Sequence, residues 1–85
     1  MSRERAVKDS LVEETRLNDV RKVLGTVKDS PGLRTSQLVV MLDLPFKRVE
    51  DAIWELWRDG KIQIDPDSTL RVTRKGEKVF RHFAP

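Results

Sequence analysis

Residues 35–60 read TSQLVVMLDLPFKRVEDAIWELWRDG, two short amphipathic segments on either side of a proline-containing turn. Thr35 suits the N-cap of the first helix, Ser36 to Leu42, because its hydroxyl can accept from an otherwise orphaned N–H. Leu38, Val39, Met41 and Leu42 are its apolar positions. Asp43 to Phe46 holds Pro45, which fits the first turn of a following helix, where a missing N–H costs nothing. That helix, about Phe46 to Asp59, carries Phe46, Val49, Ala52, Ile53, Leu56 and Trp57 on an arc of about 140° at 100° per residue. Gly60 then supplies the left-handed cap that ends it.

Upstream, Leu33-Arg34 reads as extended, and Ser30-Pro31-Gly32 stops a longer helix. Val12, Leu17, Val20, Val23, Leu24 and Val27 of that helix form one stripe, opened by a possible capping box of Ser10 and Glu13. Gly25 inside the run costs roughly 1 kcal/mol against alanine, so a close neighbouring backbone is expected there. Val7 and Leu11 fall off the stripe, as the start of a separate helix or as a small second face. The domain is expected over residues 10–85, with 1–9 a polar N-terminal segment whose order the sequence leaves open. Downstream of Gly60 the period drops to two: Lys61 to Asp65 alternates, and so does Thr69 to Thr73. Asp65-Pro66-Asp67-Ser68 between them is a tight turn with proline preset for its second position. A last helix, Arg74 to Phe83, presents Val79, Phe80 and Phe83 inward.

The order helix, short strand, helix, turn, helix, hairpin, helix is the plan of an α+β winged helix-turn-helix. It has a three-helix core, a two-stranded β-hairpin wing and a C-terminal helix. The stretch SPGLRTSQLVVMLDLPFKRVEDAIWELWRDGKI (residues 30–62) resembles the helix-turn-helix of the MarR, ArsR and PadR kinds of bacterial and archaeal regulators. The tail LRVTRKGEKVFR (residues 70–81) is similar to their wing strand and the start of their closing helix. The resemblance implies duplex DNA binding, with the helix from Phe46 in the major groove and the preceding helix crossing the backbone. Carried over by position, Arg34, Ser36 and Gln37 touch phosphates, Lys47, Arg48 and Asp51 point toward base edges, and Arg71 reaches the flanking backbone.

Composition excludes several other classes. At 85 residues the chain has room for one domain. It has no cysteine, so disulfides and thiolate metal sites are excluded and an intracellular setting is expected. No apolar run approaches the ~20 residues of a membrane span, and MSRERAVKDS has no apolar core for a signal peptide. A soluble, cytoplasmic protein is the expectation. The lone histidine, His82, cannot make a metal site, and no glycine-rich phosphate loop or spaced acid cluster is present. No enzymatic activity, metal or other cofactor is expected.

Lys and Arg number 17 against 14 Asp and Glu, a modest surplus that fits a nucleic-acid partner and equally a surface rich in ion pairs. Two features weaken DNA reading. The outer arc of the third helix sets Lys47, Arg48 and Arg58 against Asp51 and Glu55, with Glu50 at its edge, so it supplies little electrostatic affinity. The wing tip, Pro66-Asp67-Ser68, has no cation. DNA binding is therefore expected to be weak per monomer and to need a dimer or a larger assembly. Trp57 lies within the apolar arc and is expected in the core. Trp54, at its border among Lys47, Asp51 and Arg58, has the surroundings of a protein-interface anchor. Two functions follow: a DNA-binding transcriptional regulator, or a winged-helix module that docks a protein within a nucleic-acid assembly. RNA binding is less supported, for want of an exposed aromatic platform.

Overall fold

The computed structural model describes the backbone of residues 3–83 and the side chains of residues 12–80. Four helices and one antiparallel hairpin make an α+β arrangement: α1 (Arg3–Asp29), α2 (Thr35–Leu42), α3 (Phe46–Arg58), β1 (Ile62–Ile64), β2 (Leu70–Val72) and α4 (Arg74–Phe83). Val23, Leu24 and Val27 of α1 meet Leu38 of α2, Val49, Ala52, Ile53 and Leu56 of α3, and Ile62 and Leu70 of the hairpin in one buried cluster. Val79 and Phe80 of α4 pack on its edge.

The turn chemistry sets how these elements join. Gly60 (φ 73°) follows α3, and the N–H groups of Gly60 and Lys61 bond back to the carbonyls of Trp57 (2.9 Å) and Leu56 (2.8 Å). That pair is a Schellman motif, which satisfies carbonyls the helix end would leave orphaned. The hairpin pairs Ile62 with Val72 and Ile64 with Leu70. Its turn closes through Ser68 N–H to the Asp65 carbonyl (2.8 Å), with Pro66 and Asp67 in the middle as the sequence predicts. Leu33 adds a single bridge to Leu70, bonding through Leu70 N–H to the Leu33 carbonyl at 2.8 Å, so the extended Leu33-Arg34 segment borders the hairpin.

Several expectations are corrected. α1 begins at Arg3, so Ser10 and Glu13 lie inside a helix and do not open it. Val12 and Leu17, assigned to the core stripe, are exposed, because α1 meets the core only from Asp19 onward. Gly25 has no atom near enough to crowd a Cβ, and no neighbouring backbone packs there. At α2 the cap position falls on Arg34, and Thr35 is already helical. The capping is done from inside the helix, where Gln37 Oε1 accepts the Arg34 N–H at 2.8 Å.

Trp57 is half exposed, and so is Phe46. The buried residues of α3, Val49, Ala52, Ile53 and Leu56, span only about 100° of the helix at 100° per residue. Phe46 and Trp57 sit beyond that span and widened the expected arc only by being apolar. His82 and the inward position expected for Phe83 fall outside the residues whose side chains are described.

Candidate functional site

The outer surface of α3, which packs through its other face on α1, α2 and the hairpin, is uncovered along its length. Lys47, Glu50, Asp51, Trp54, Trp57 and Arg58 all lie exposed on it. Two of these are cations and two are anions, so the face is neutral.

Two of the cations expected to read nucleic acid are held within the protein. Arg48 leaves the outer face and forms a fork with Asp19 of α1, its Nε donating to Oδ2 at 2.9 Å and its Nη2 to Oδ1 at 2.8 Å. Asp19 is only 5% exposed and is the buried charged residue among the described ones. Two parallel charge-assisted bonds fix the guanidinium plane, and the pair clamps α3 onto α1. Arg71 makes a similar fork with Asp65 across the hairpin, at 2.9 and 3.1 Å. The guanidinium holds the Asp65 carboxyl below its ordinary value, with a further bond from the Gln63 amide adding to the shift. Arg16 of α1 binds both Glu13 and Glu55, which adds a second charged tie between α1 and α3. The two ties between α1 and α3 have no local signal in the sequence, since Asp19 and Arg48 are 29 residues apart and Arg16 and Glu55 are 39 apart.

Arg34, Ser36 and Gln37 lie together and exposed at the start of α2. Gln37 is partly committed to capping there. Ser36 and Gln37 also border a shallow depression of about 420 Å³ with Leu33, Val40 and Met41. Lys47 opens α3 and forms no ion pair among the described residues. Asp51 lies a turn further along the same face, at the edge of a groove beside Trp54.

Trp54 is 55% exposed and Trp57 50% exposed. Their rings meet edge to face, with centroids 5.4 Å apart and planes at 90°. With Arg16, Asp51, Glu55 and Arg58 they line a groove of about 460 Å³. Trp57 joins Trp54 as an exposed aromatic, but one indole presents its edge to the other and they form no flat platform. The angle separates both from the core: on the helical wheel Trp57 lies about 90° and Trp54 about 150° from the mean direction of Val49, Ala52, Ile53 and Leu56.

Among the described residues no cluster of His, Asp and Glu is placed to hold a metal ion, and no helix is long and apolar enough to cross a membrane. No family model matches the chain, and neither a curated protein nor a solved structure does.

Proposed function

We propose that the chain is a winged helix-turn-helix domain that binds double-stranded DNA, as a small transcriptional regulator acting in the cytoplasm. The observation that carries this is the uncovered outer face of α3, set after a three-residue turn from α2 and beside a two-stranded hairpin. A helix presented in that way is the element that enters a major groove, although a fold does not by itself fix a function. Lys47 is the side chain on this face best placed to reach a base edge, with Asp51 one turn on. Arg34 and Ser36 contact the backbone from α2. Arg48 and Arg71 act through structure: one clamps α3, the other stiffens the hairpin.

The test is binding of the full chain to duplex fragments, followed by fluorescence anisotropy over a salt series. Log affinity should fall linearly with log salt, since each neutralised phosphate releases counterions. Arg34→Ala should weaken binding alike on all sequences, whereas Lys47→Ala should change the preference among them. Absence of binding at low salt overturns the proposal.

A second reading has its own observation. Two half-exposed tryptophans on one neutral face have the composition of a protein-docking anchor. On that reading Trp54→Ala abolishes capture of a partner protein or a second copy of the chain and leaves both folding and DNA affinity unchanged.

A further inference from the structure

The net charge of the protein sits on one element. Residues 1–73 carry thirteen Lys and Arg and thirteen Asp and Glu, and are neutral. Arg74, Lys75, Lys78 and Arg81 against Glu77 give α4 a charge of +3, the whole surplus of the chain. Arg74, Lys75 and Lys78 are exposed, and among the described residues none of the three forms an ion pair. Of the cations expected elsewhere to touch DNA, Arg48 is bound by Asp19 and Arg71 by Asp65, which leaves Arg34 and Lys47.

Folding gains nothing from two of these charges. Arg74 and Lys75 occupy the first turn of α4, where the helix dipole favours anions and opposes cations. The other unusual residue of that turn, Gly76, has a packing reason, because the Lys61 carbonyl and Val72 lie where its Cβ would be. Arg74 and Lys75 have no such reason, and a locally unfavourable choice without a compensating contact points to function. Position also suits one. Thr73 Oγ1 donates to the Gly60 carbonyl at 2.6 Å and accepts from Gly76 N–H at 3.2 Å. This fixes the start of α4 against the end of α3, so that Lys75 lies alongside Gly60, two residues past the exposed Arg58.

We infer that the exposed basic face of α4, formed by Arg74, Lys75 and Lys78, is the surface that grips the phosphate backbone of duplex DNA. This rests on the DNA-binding function proposed above and assigns its electrostatic grip to α4, leaving the neutral face of α3 and the self-paired hairpin with little of it. Point charges without base-edge partners add affinity alike on every sequence.

The experiment compares the parent chain with Arg74→Gln/Lys75→Gln/Lys78→Gln, with Arg34→Gln/Lys47→Gln and with the charge-keeping Arg74→Lys. The probe is a short duplex of arbitrary sequence, titrated from about 25 to about 200 mM salt. The α4 triple variant should melt at or above the parent's temperature, lose more than about tenfold in affinity at low salt, and show a salt slope smaller by about three. Arg74→Lys should keep affinity and slope. If the triple variant binds as the parent does while Arg34→Gln/Lys47→Gln loses the affinity, the grip lies at α2 and α3; the inference is overturned and DNA binding stands. If the parent itself does not bind duplex at the lowest salt, DNA binding falls and the inference with it.

Discussion

A Cβ added at Gly76 would lie 2.7 Å from Val72 Cγ1 and closer still to the Lys61 carbonyl oxygen. A backbone atom cannot swing aside as a side-chain end can, so Gly76→Ala should cost about 1–3 kcal/mol, as overpacking does. Gly25 is the opposite case: its Cβ position is open and the residue is inside α1. Gly25→Ala should therefore stabilise by about 0.5–1 kcal/mol, read as a rise of a few degrees in Tm. A fall in Tm for Gly25→Ala would mean that α1 is not helical through this point. Both glycines look alike in the sequence, each alone in a helical run, and only the position of Lys61 across the turn separates them. Asp65 carries a prediction in pH. Arg71, then Gln63, hold its carboxyl below its ordinary 3.8, and the Thr69 hydroxyl does the same for Asp67. A carboxyl with a folded value below its unfolded one gives its full stabilisation above the unfolded value. It loses that stabilisation as pH drops through 3.8 toward the lower folded value. Melts from about pH 6 to about pH 2 should show an acid limb that Asp65→Asn makes shallower; an unchanged limb would show that the Arg71–Asp65 fork adds nothing to stability.

The elements themselves were legible from Thr35 onward because their signals are local. Leu38, Val49, Ala52, Ile53 and Leu56 recur with helical period and are partly or fully buried. Pro45 and Gly60 bound α3 through their own backbone preferences, and the switch to period two gave both strands. Two things were not legible. The start of α1 was misplaced because a helix lying in water needs no apolar stripe, while Ser10 and Glu13 imitate a capping box wherever they fall. The role of Arg48 was misplaced because an ion pair between α1 and α3 exists only once the two helices are packed. That pairing makes a sharp contrast between neighbours. Arg48→Gln leaves the buried Asp19 carboxylate without its partner, a change that destabilises because the charge stays desolvated. It should lower Tm by more than about 4 °C, whereas Lys47→Gln next to it should leave Tm within a degree or two and act only on binding. Equal melting temperatures for the two variants would return Arg48 to the outer face of α3. The tryptophans are separated from the core in the same way: Leu56→Ala should cost ~2–5 kcal/mol, and Trp57→Ala less than about 1.5 kcal/mol, in the range of partly exposed substitutions.

At the scale of the whole molecule, charge and length decide how such a domain can hold DNA at all. A protein making roughly 6–10 phosphate contacts loses about 10³–10⁵ in affinity between about 50 and about 200 mM salt, and the exposed cations that form no ion pair among the described residues are spread over several surfaces of this domain. Three lie on α4, Arg34, Lys47 and Arg58 lie nearer the face of α3, and Lys22 and Lys28 lie on α1, so no one duplex face meets them all. A single copy should therefore hold duplex in the range of non-specific binders, with Kd of about 10⁻⁴–10⁻⁶ M near physiological salt. Useful occupancy then requires more than one copy on the same duplex. If the weakness is only one of contact number, joining two copies by a flexible linker adds no new contact yet makes the second binding event intramolecular. The gain should be about 10²–10⁴ in affinity on a duplex long enough for both. It should disappear on a duplex shortened to a single site, which separates true bivalent binding from a change in either domain. Titrating the single chain and the tandem fusion against the long and the short duplex measures all four affinities. A single chain that held the short duplex with nanomolar Kd at physiological salt would overturn this account, because the exposed cations could not then be the source of its grip.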